Sequence, residues 1–165
     1  MVEALIGLSV IVIGLLGIFT LTSTSLSVNR IDADRYVAIN LANEGVELVK
    51  NLLDRNIIDD NPWNTLPGFT IDGDYKIDYT QSSLFPWDGS NDFLYFNIDG
   101  GGYRYKQIED DKITTFNRKI NITNIDDSHI KVISTVYWKS KTESYDFSVV
   151  DYFYDLKEFK WNLLH

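Results

Sequence analysis

Glu3 is the only charged residue before Arg30, and it stands at the start of a long apolar run. Insertion scales place an acid at the bilayer centre about 2.5–3.5 kcal/mol uphill, and less near the end of a helix. An ordinary membrane anchor would leave Glu3 at the water interface. In any drier position the carboxylate needs an opposite charge, because a paired charge in low dielectric is tolerable where a lone one is not.

Two acidic turns carry clustered oxygens of the kind that hold calcium. Neither has the full D-x-D/N-x-D/N-G loop followed by a distal Glu. Asx turns, in which the side chain bonds nearby backbone, are therefore the favoured interpretation, and we predict no metal site and no cofactor. The two turns are Asp72-Gly73-Asp74 with Asp78, and Asp88 with Asn91 and Asp92.

The sequence gives little indication of a catalytic site. His129 and His165 have no Ser or acid at a motif-level spacing, so we predict no catalytic triad and no enzyme. The segment Gly100–Gly102 lacks the following helix or Lys-Ser/Thr of a phosphate loop. Three pairs of acids indicate solvated turns and not a glycosidase pair. They are Asp59/Asp60, Asp110/Asp111 and Asp126/Asp127.

Two further motifs have mainly structural interpretations. Asn121-Ile122-Thr123 matches the N-glycosylation pattern, which is common by chance, and here it falls in a predicted strand. A cluster of aromatic residues near the C-terminus indicates core or a subunit interface, with stacking on a sugar or host molecule less favoured. It consists of Tyr152, Phe153, Tyr154, Phe159 and Trp161.

Composition narrows the class of protein. The 165 residues carry a formal net charge of −9, which argues against nucleic acid bound along the whole surface. The sequence has no cysteine, so neither disulfides nor thiolate metal sites contribute.

The elements that position Glu3 begin with residues 4–26, which carry no charge. A spanning helix needs about 20 such residues. A cleaved secretory signal would have a basic n-region and a small-residue cleavage site, and neither is present. Glycines and hydroxyl residues weaken helix propensity within this run, which makes local melting cheaper. They are Gly14, Gly17, Thr20 and Thr22.

Beyond the apolar run the sequence returns to helical periodicity as far as residue 56. Apolar residues recur at steps of three and four and predict a face that packs on a sheet. We predict an apolar helix over 1–27 and a globular domain over 28–165 that begins with an amphipathic helix, 28–56. The residues assigned to helix–sheet packing are Ala38, Leu41, Ala42, Gly45, Val49 and Leu52.

The rest of the globular domain divides into two parts. Residues 57–112 are rich in turn residues and predict a long variable connection with one or two small hairpins. From 113 to 165, three alternating runs with short turns predict an antiparallel sheet. The expected fold class is α+β, with a long N-terminal helix on a small antiparallel sheet.

Five stretches together resemble bacterial type IV pilins. MVEALIGLSVIVIGLLGI is similar to the pilin opening, where an aliphatic run follows the Glu. FNRKINI, KVISTVYW and YDFSVVDYFYDL are similar to the closing strands of pilus-modification minor pilins and pseudopilins. AINLANEGVELVKNLLDRN resembles the pilin stretch LA-x-EG-I/V-E-x-V-R/K-N at Leu41, Ala42, Glu44, Gly45, Val46, Glu47, Val49, Lys50 and Asn51.

The resemblance implies the pilin fold and a structural subunit of an extracellular type IV pilus. In such filaments the apolar helices form a central bundle, and the Glu of one subunit faces the N-terminal amine of a neighbour. In the family the Glu is the fifth residue of the mature chain, whereas here it is the third residue of the sequence. Either two residues precede Met1 or the cleavage position differs, so the partner amine is upstream or on Met1 itself.

The resemblance also implies partners and location. The subunit would associate with itself, with other pilins and with assembly machinery, after residing in the inner membrane as a single-pass protein. Its N-terminus would be methylated, the segment Gly14–Thr22 would melt in the filament, and the pilus would support adhesion or twitching motility. The alternatives are a minor pilin, a type II secretion or competence pseudopilin, and a membrane-tethered binding domain.

Overall fold

The structure is a computed structural model that describes residues 2–63, 72–89, 92–108, 110–140 and 142–155. It opens with helix α1, Val2–Ile58, and continues with antiparallel strands. The chain divides into two compact units, Met1–Tyr36 and Val37–His165. The predicted α+β fold class, a long N-terminal helix with an antiparallel sheet packed on it, is confirmed.

Within the first unit, α1 is helical across the whole segment that the pilin resemblance assigns to melting. Its hydroxyl side chains donate to the carbonyl four residues earlier: Thr20 Oγ1 to Leu16 O at 2.8 Å, and Thr22 Oγ1 to Ile18 O at 2.9 Å. Such bonds satisfy the hydroxyl groups within the helix, and they compete with the backbone hydrogen bonds of the helix for the same carbonyls. Gly14 and Gly17 have no neighbour near the position of a Cβ atom.

The second unit holds two antiparallel sheets. The larger has the strand order β2-β1-β6-β7-β8, and the smaller has the order β4-β3-β5. The last three strands form a meander whose pairing is interrupted by a register shift between Asn124 and Asp126, so the sheet predicted over 113–165 is present as β6–β8 within the described residues. The strands are β1 Gly73–Lys76, β2 Phe85–Pro86, β3 Tyr95–Phe96, β4 Tyr103–Arg104, β5 Lys112–Ile113, β6 Asn117–Asp126, β7 His129–Ser140 and β8 Glu143–Tyr154.

The predicted connection over 57–112 contributes more than loops. Its hairpin β1–β2 joins the edge of the main sheet, because Tyr75 of β1 pairs with Ile120 of β6. The sheet therefore has five strands where the sequence predicted three. Small hairpins were predicted in this stretch, but the pairing of one of them with β6 was not, since so short a strand carries no signal for its partner.

The core lies between the second half of α1 and the main sheet, in two clusters of buried side chains. Cluster A has Val49, Leu52 and Leu53 from the helix, and cluster B has Ala38, Leu41 and Ala42. Along β6, Ile120 belongs to cluster A and Phe116 to cluster B. Trp63 lies in cluster A and Trp138 in cluster B, so each contains a tryptophan.

Gly45 lies between these clusters at the closest approach of helix and sheet. A Cβ atom there would lie 2.7 Å from Ile120 Cδ1 and 3.0 Å from Arg118 Cδ, with Ser134 Oγ nearer still. Only glycine allows this spacing without displacing the sheet.

We expect Gly45→Val to destabilise the protein by about 1–3 kcal/mol, because overpacking a tight contact forces side chains and backbone to shift. The measurement is denaturant unfolding of the full chain in detergent micelles, followed by tryptophan fluorescence. Gly7→Val is the matched control, since nothing lies within 4 Å of a Cβ at Gly7. Equal unfolding midpoints for the two variants would contradict the role of Gly45.

Candidate functional site

The first unit presents a continuous apolar surface. Every residue from Val2 to Leu26 is exposed, and its large hydrophobic side chains range from 46% exposed at Val12 to 78% at Phe19. Apolar patches of this extent on a soluble chain mark sites that meet lipid or other protein. By length and composition this part of α1 can cross a membrane.

Glu3 lies in the first turn of α1 and is exposed. It stands among apolar residues as the only charge in the described part of the segment before Arg30. An acid in the first turn is favourably placed with respect to the helix dipole. Met1, the other residue assigned to assembly, lies outside the described residues.

All six residues assigned to helix–sheet packing are buried in the second unit. Ala38, Leu41 and Ala42 contribute to cluster B, and Val49 and Leu52 to cluster A. Gly45 lies between these two groups on the same helix face. The apolar residues of α1 therefore have two environments: those from Ala38 to Leu53 contribute to a core, and those before Ser27 are exposed.

A buried cation that sequence reasoning missed holds the helix to the sheet. Arg118 of β6 is 0% exposed, and its guanidinium donates to Leu41 O at 2.8 Å and to Ile77 O. Its Nη1 lies 3.3 Å from Glu44 Oε2, on the next turn of α1. A buried guanidinium is tolerated only with such partners. A sequence signal for its burial did exist: side chains alternate along a strand, so residue 118 lies on the same inward face as Phe116 and Ile120.

Tyr105 closes the other side of this site. Its hydroxyl donates to Arg118 O, and burial raises the pKa of Tyr105 to about 12. Asp78, also fully buried, accepts from Tyr105 N at 2.8 Å and from Thr80 N at 2.9 Å. These hydrogen bonds connect the loop after β1 to the residue that follows β4.

In the first predicted acidic turn, the three carboxylates do not converge on a common site. Asp72 accepts from Asn124 N, Asp74 accepts from Asn121 Nδ2 at 2.8 Å, and Asp78 points to other partners. Each therefore ties one loop or strand to another. No group of three or more metal-ligating side chains occurs among the described residues.

In the second predicted acidic turn, the carboxylates of Asp88 and Asp92 lie close to a lysine. Lys76 Nζ contacts Asp92 Oδ2 and lies 3.6 Å from Asp88 Oδ2. Burial raises the pKa of Asp92, whereas the hydrogen bond with Asp92 lowers the pKa of Asp88. Asn91 lies outside the described residues.

Asp111 corrects the prediction that the paired acids lie in solvated turns. It is 7% exposed and forms a two-pronged ion pair with Arg104, whose Nε and Nη2 each lie 2.7 Å from a carboxylate oxygen. Asp110 beside it is exposed, with a positive φ of 72°. The pairing with Arg104 spans seven residues and has no local sequence signature.

This ion pair predicts a defined acid sensitivity. The hydrogen bond from Arg104 holds the pKa of Asp111 below its ordinary value of 3.8. The resulting stabilisation is present above that ordinary value and is lost as the pH falls through the lowered pKa. We expect Asp111→Asn to lower the melting temperature at pH 7, with a difference from the parent that shrinks below about pH 4. Asp110→Asn is the control, since Asn tolerates the same positive φ; a pH-independent difference would contradict the assignment.

The remaining candidates lie apart from one another. His129 Nδ1 is 2.6 Å from Asp126 Oδ1, but Ser128 Oγ donates to the same Asp126 oxygen and not to the imidazole. Asn121, in the glycosylation pattern, is half-buried in a central strand with its amide bonded to Asp74. His165 lies outside the described residues.

The C-terminal aromatic cluster divides between the two faces of the sheet. Phe153 packs against cluster A, whereas Tyr152 is 45% exposed and Tyr154 is 58% exposed and stacks on His129. Phe159 and Trp161 lie outside the described residues. Among the described members, only Phe153 thus has the core role that the sequence favoured for the cluster.

Comparison with protein-family models, curated proteins and solved structures finds no match to this chain. The fold and the exposed helix nevertheless define a class. The chain is an α+β protein with one apolar N-terminal helix that can span a membrane, which is compatible with a membrane-associated or pilin-like protein.

Proposed function

We propose that this protein is a structural subunit of an extracellular type IV pilus. The observation that carries the proposal is the contrast along one helix. From Val37 onward α1 contributes to a core, while every residue from Val2 to Leu26 is exposed and apolar except for a few hydroxyls, glycines and Glu3.

Burial of the apolar segment supplies the driving force for assembly. Its large aliphatic and aromatic side chains each contribute on the order of 1.5–3 kcal/mol when they are fully removed from water. A bilayer supplies that environment before assembly, and a bundle of identical helices supplies it afterwards. In the bundle Glu3 pairs with a neighbour's N-terminal amine, which offsets the cost of an acid in low dielectric. The proposed role of the subunit is structural and requires neither catalysis nor a cofactor.

Deletion of the gene, followed by electron microscopy of the cell surface and mass spectrometry of sheared filaments, tests the proposal. We expect filaments to disappear and this chain to be their principal component. Filaments lost while the chain is a trace component would indicate a minor pilin or pseudopilin that primes another polymer. Filaments unchanged in number and composition would reject the proposal.

The second candidate is a membrane-tethered binding domain. A groove on the second unit, described below, favours it because it offers a binding surface that filament assembly does not need. This candidate requires only an anchor, so any apolar helix of similar length could replace residues 1–27.

A further inference from the structure

A groove of about 570 Å³ opens on the second unit, at the end of the main sheet where β6 and β8 begin and β7 ends. Its size falls in the range of small-molecule sites, roughly 300–1,000 Å³. It does not include Glu3, Arg118 or any residue assigned to helix–sheet packing. It shares Trp138 with cluster B, but none of its lining residues lies in the apolar segment.

The floor of the groove includes a row of polar side chains across three strands. In the pairing registers Asn117 lies opposite Tyr137, and Tyr137 lies opposite Asp146. Side chains in such a row are about 4.5–5.5 Å apart at Cβ. One row further along, Lys139 lies opposite Ser144. An amide, a phenol, a carboxylate, an ammonium and a hydroxyl thus line one surface.

The wall includes Trp87 and Phe93, and the indole of Trp87 is fixed in place. Trp87 N donates to Asp74 O at 3.0 Å, and its Nε1 donates to Asn117 Oδ1 at 3.4 Å. Lys119 Nζ lies 5.1 Å from the ring centroid, within cation–π range. A ring held by two contacts on a hydrogen-bonded backbone loses little freedom on binding a ligand, which favours affinity.

Charge narrows the ligand class. Lys139 and Asp146 line the groove with opposite charges, and the chain as a whole carries −9. An anionic polymer would be repelled by that surface. A neutral ligand rich in hydroxyls matches the floor, because each hydroxyl both donates and accepts, as amide, carboxylate and ammonium groups require together. An aromatic wall suits the apolar C–H face of a sugar ring.

We propose that this groove binds a neutral carbohydrate, with the sugar ring against Trp87 and Tyr137 and its hydroxyls on Asp146 and Lys139, while Asn117 holds Trp87 in place. A proline-rich peptide is the main competitor, since extended peptides also dock on aromatic grooves. Such a peptide presents few donors for the Asp146 carboxylate and few acceptors for the Lys139 ammonium, whereas each sugar hydroxyl can serve either group.

The test uses the full chain in micelles of a detergent without a sugar headgroup. Glucose, galactose, mannose and N-acetylglucosamine, each as methyl glycoside and as β-linked disaccharide, are titrated by saturation-transfer NMR and tryptophan fluorescence. We expect saturable binding of at least one, with a dissociation constant on the order of 1 mM or tighter. Absence of saturable binding by the whole panel, or binding of a proline-rich peptide in its place, would overturn the proposal.

Variants locate the site. Tyr137→Ala and Asp146→Asn lie at exposed positions and should each weaken binding by roughly tenfold or more, as truncation of a central contact does. Tyr152→Ala is the matched control, because Tyr152 is as exposed as Tyr137 and points from the same face of the sheet, six residues away in register. Near-ultraviolet circular dichroism verifies the fold of each variant. Equal affinity of Tyr137→Ala and Tyr152→Ala would also overturn the proposal.

Discussion

Cells that carry Glu3→Gln should assemble no surface filaments, although the subunit accumulates in the membrane. The substitution keeps the shape of the side chain and removes its charge. In the proposed bundle the neighbour's amine then lies in low dielectric without an anion, at a cost of about 3–5 kcal/mol per subunit contact. Insertion into the bilayer becomes easier, since an amide is less costly there than a carboxylate.

The measurement compares sheared and membrane fractions by immunoblot and counts filaments by electron microscopy. Asp32→Asn is the matched control, because Asp32 is an exposed acid of the same helix outside the apolar segment. It should leave filament number unchanged. Normal filaments in Glu3→Gln would contradict the role of the charge.

A helix exchange separates the two candidate functions. Replacing residues 1–27 by an unrelated apolar helix should abolish filaments if the native segment sets subunit register. A membrane-tethered binding domain would tolerate the exchange, and its groove would still bind ligand. Filament loss combined with retained carbohydrate binding would show that assembly and the groove are independent.

Arg118→Met should destabilise the folded protein by about 2–4 kcal/mol. The carbonyls of Leu41 and Ile77 lose a charged donor, and hydrogen bonds to charged groups contribute roughly 1.5–3 kcal/mol. Glu44 also loses its partner, but its side chain is 31% exposed and keeps contact with water, which limits that contribution.

Chemical denaturation monitored by fluorescence measures this loss. Lys119→Met on the adjacent position of β6 is the control: Lys119 forms an ion pair with Asp74 at 3.3 Å near the surface and should contribute no more than about 1 kcal/mol. A loss for Arg118→Met no greater than that for Lys119→Met would contradict the assignment of Arg118 as the bond between helix and sheet.

Sequence periodicity predicted the elements whose pattern extends over many residues. Their hydrophobic patterns continue over enough residues to be recognised. These elements are the apolar segment, the buried face of α1 from Ala38 to Leu52 and the meander from Asn117 to Tyr154. The sequence indicated small hairpins in residues 57–112, but not their strand bounds or the pairing of β1 with β6, because strands of two to four residues are set by tertiary pairing.

The charged groups of the interior were harder to predict for a different reason. Arg118 and Asp111 read as polar residues of a strand and a turn, and their partners lie 77 and seven residues away. Burial of a charge depends on whether a partner arrives in three dimensions, which one sequence does not reveal. The groove likewise combines β6, β7 and β8 with the loops around residues 87 and 93.

The place of Arg118 bears on cooperativity. Clusters A and B meet at Gly45 and Arg118, where the side chains are too small or too polar to continue the apolar packing. The guanidinium reaches across that seam with directional bonds to Leu41 O and Ile77 O, so we expect it to help the two clusters unfold together. A shallower denaturant dependence of unfolding in Arg118→Met would show that this cooperativity is reduced.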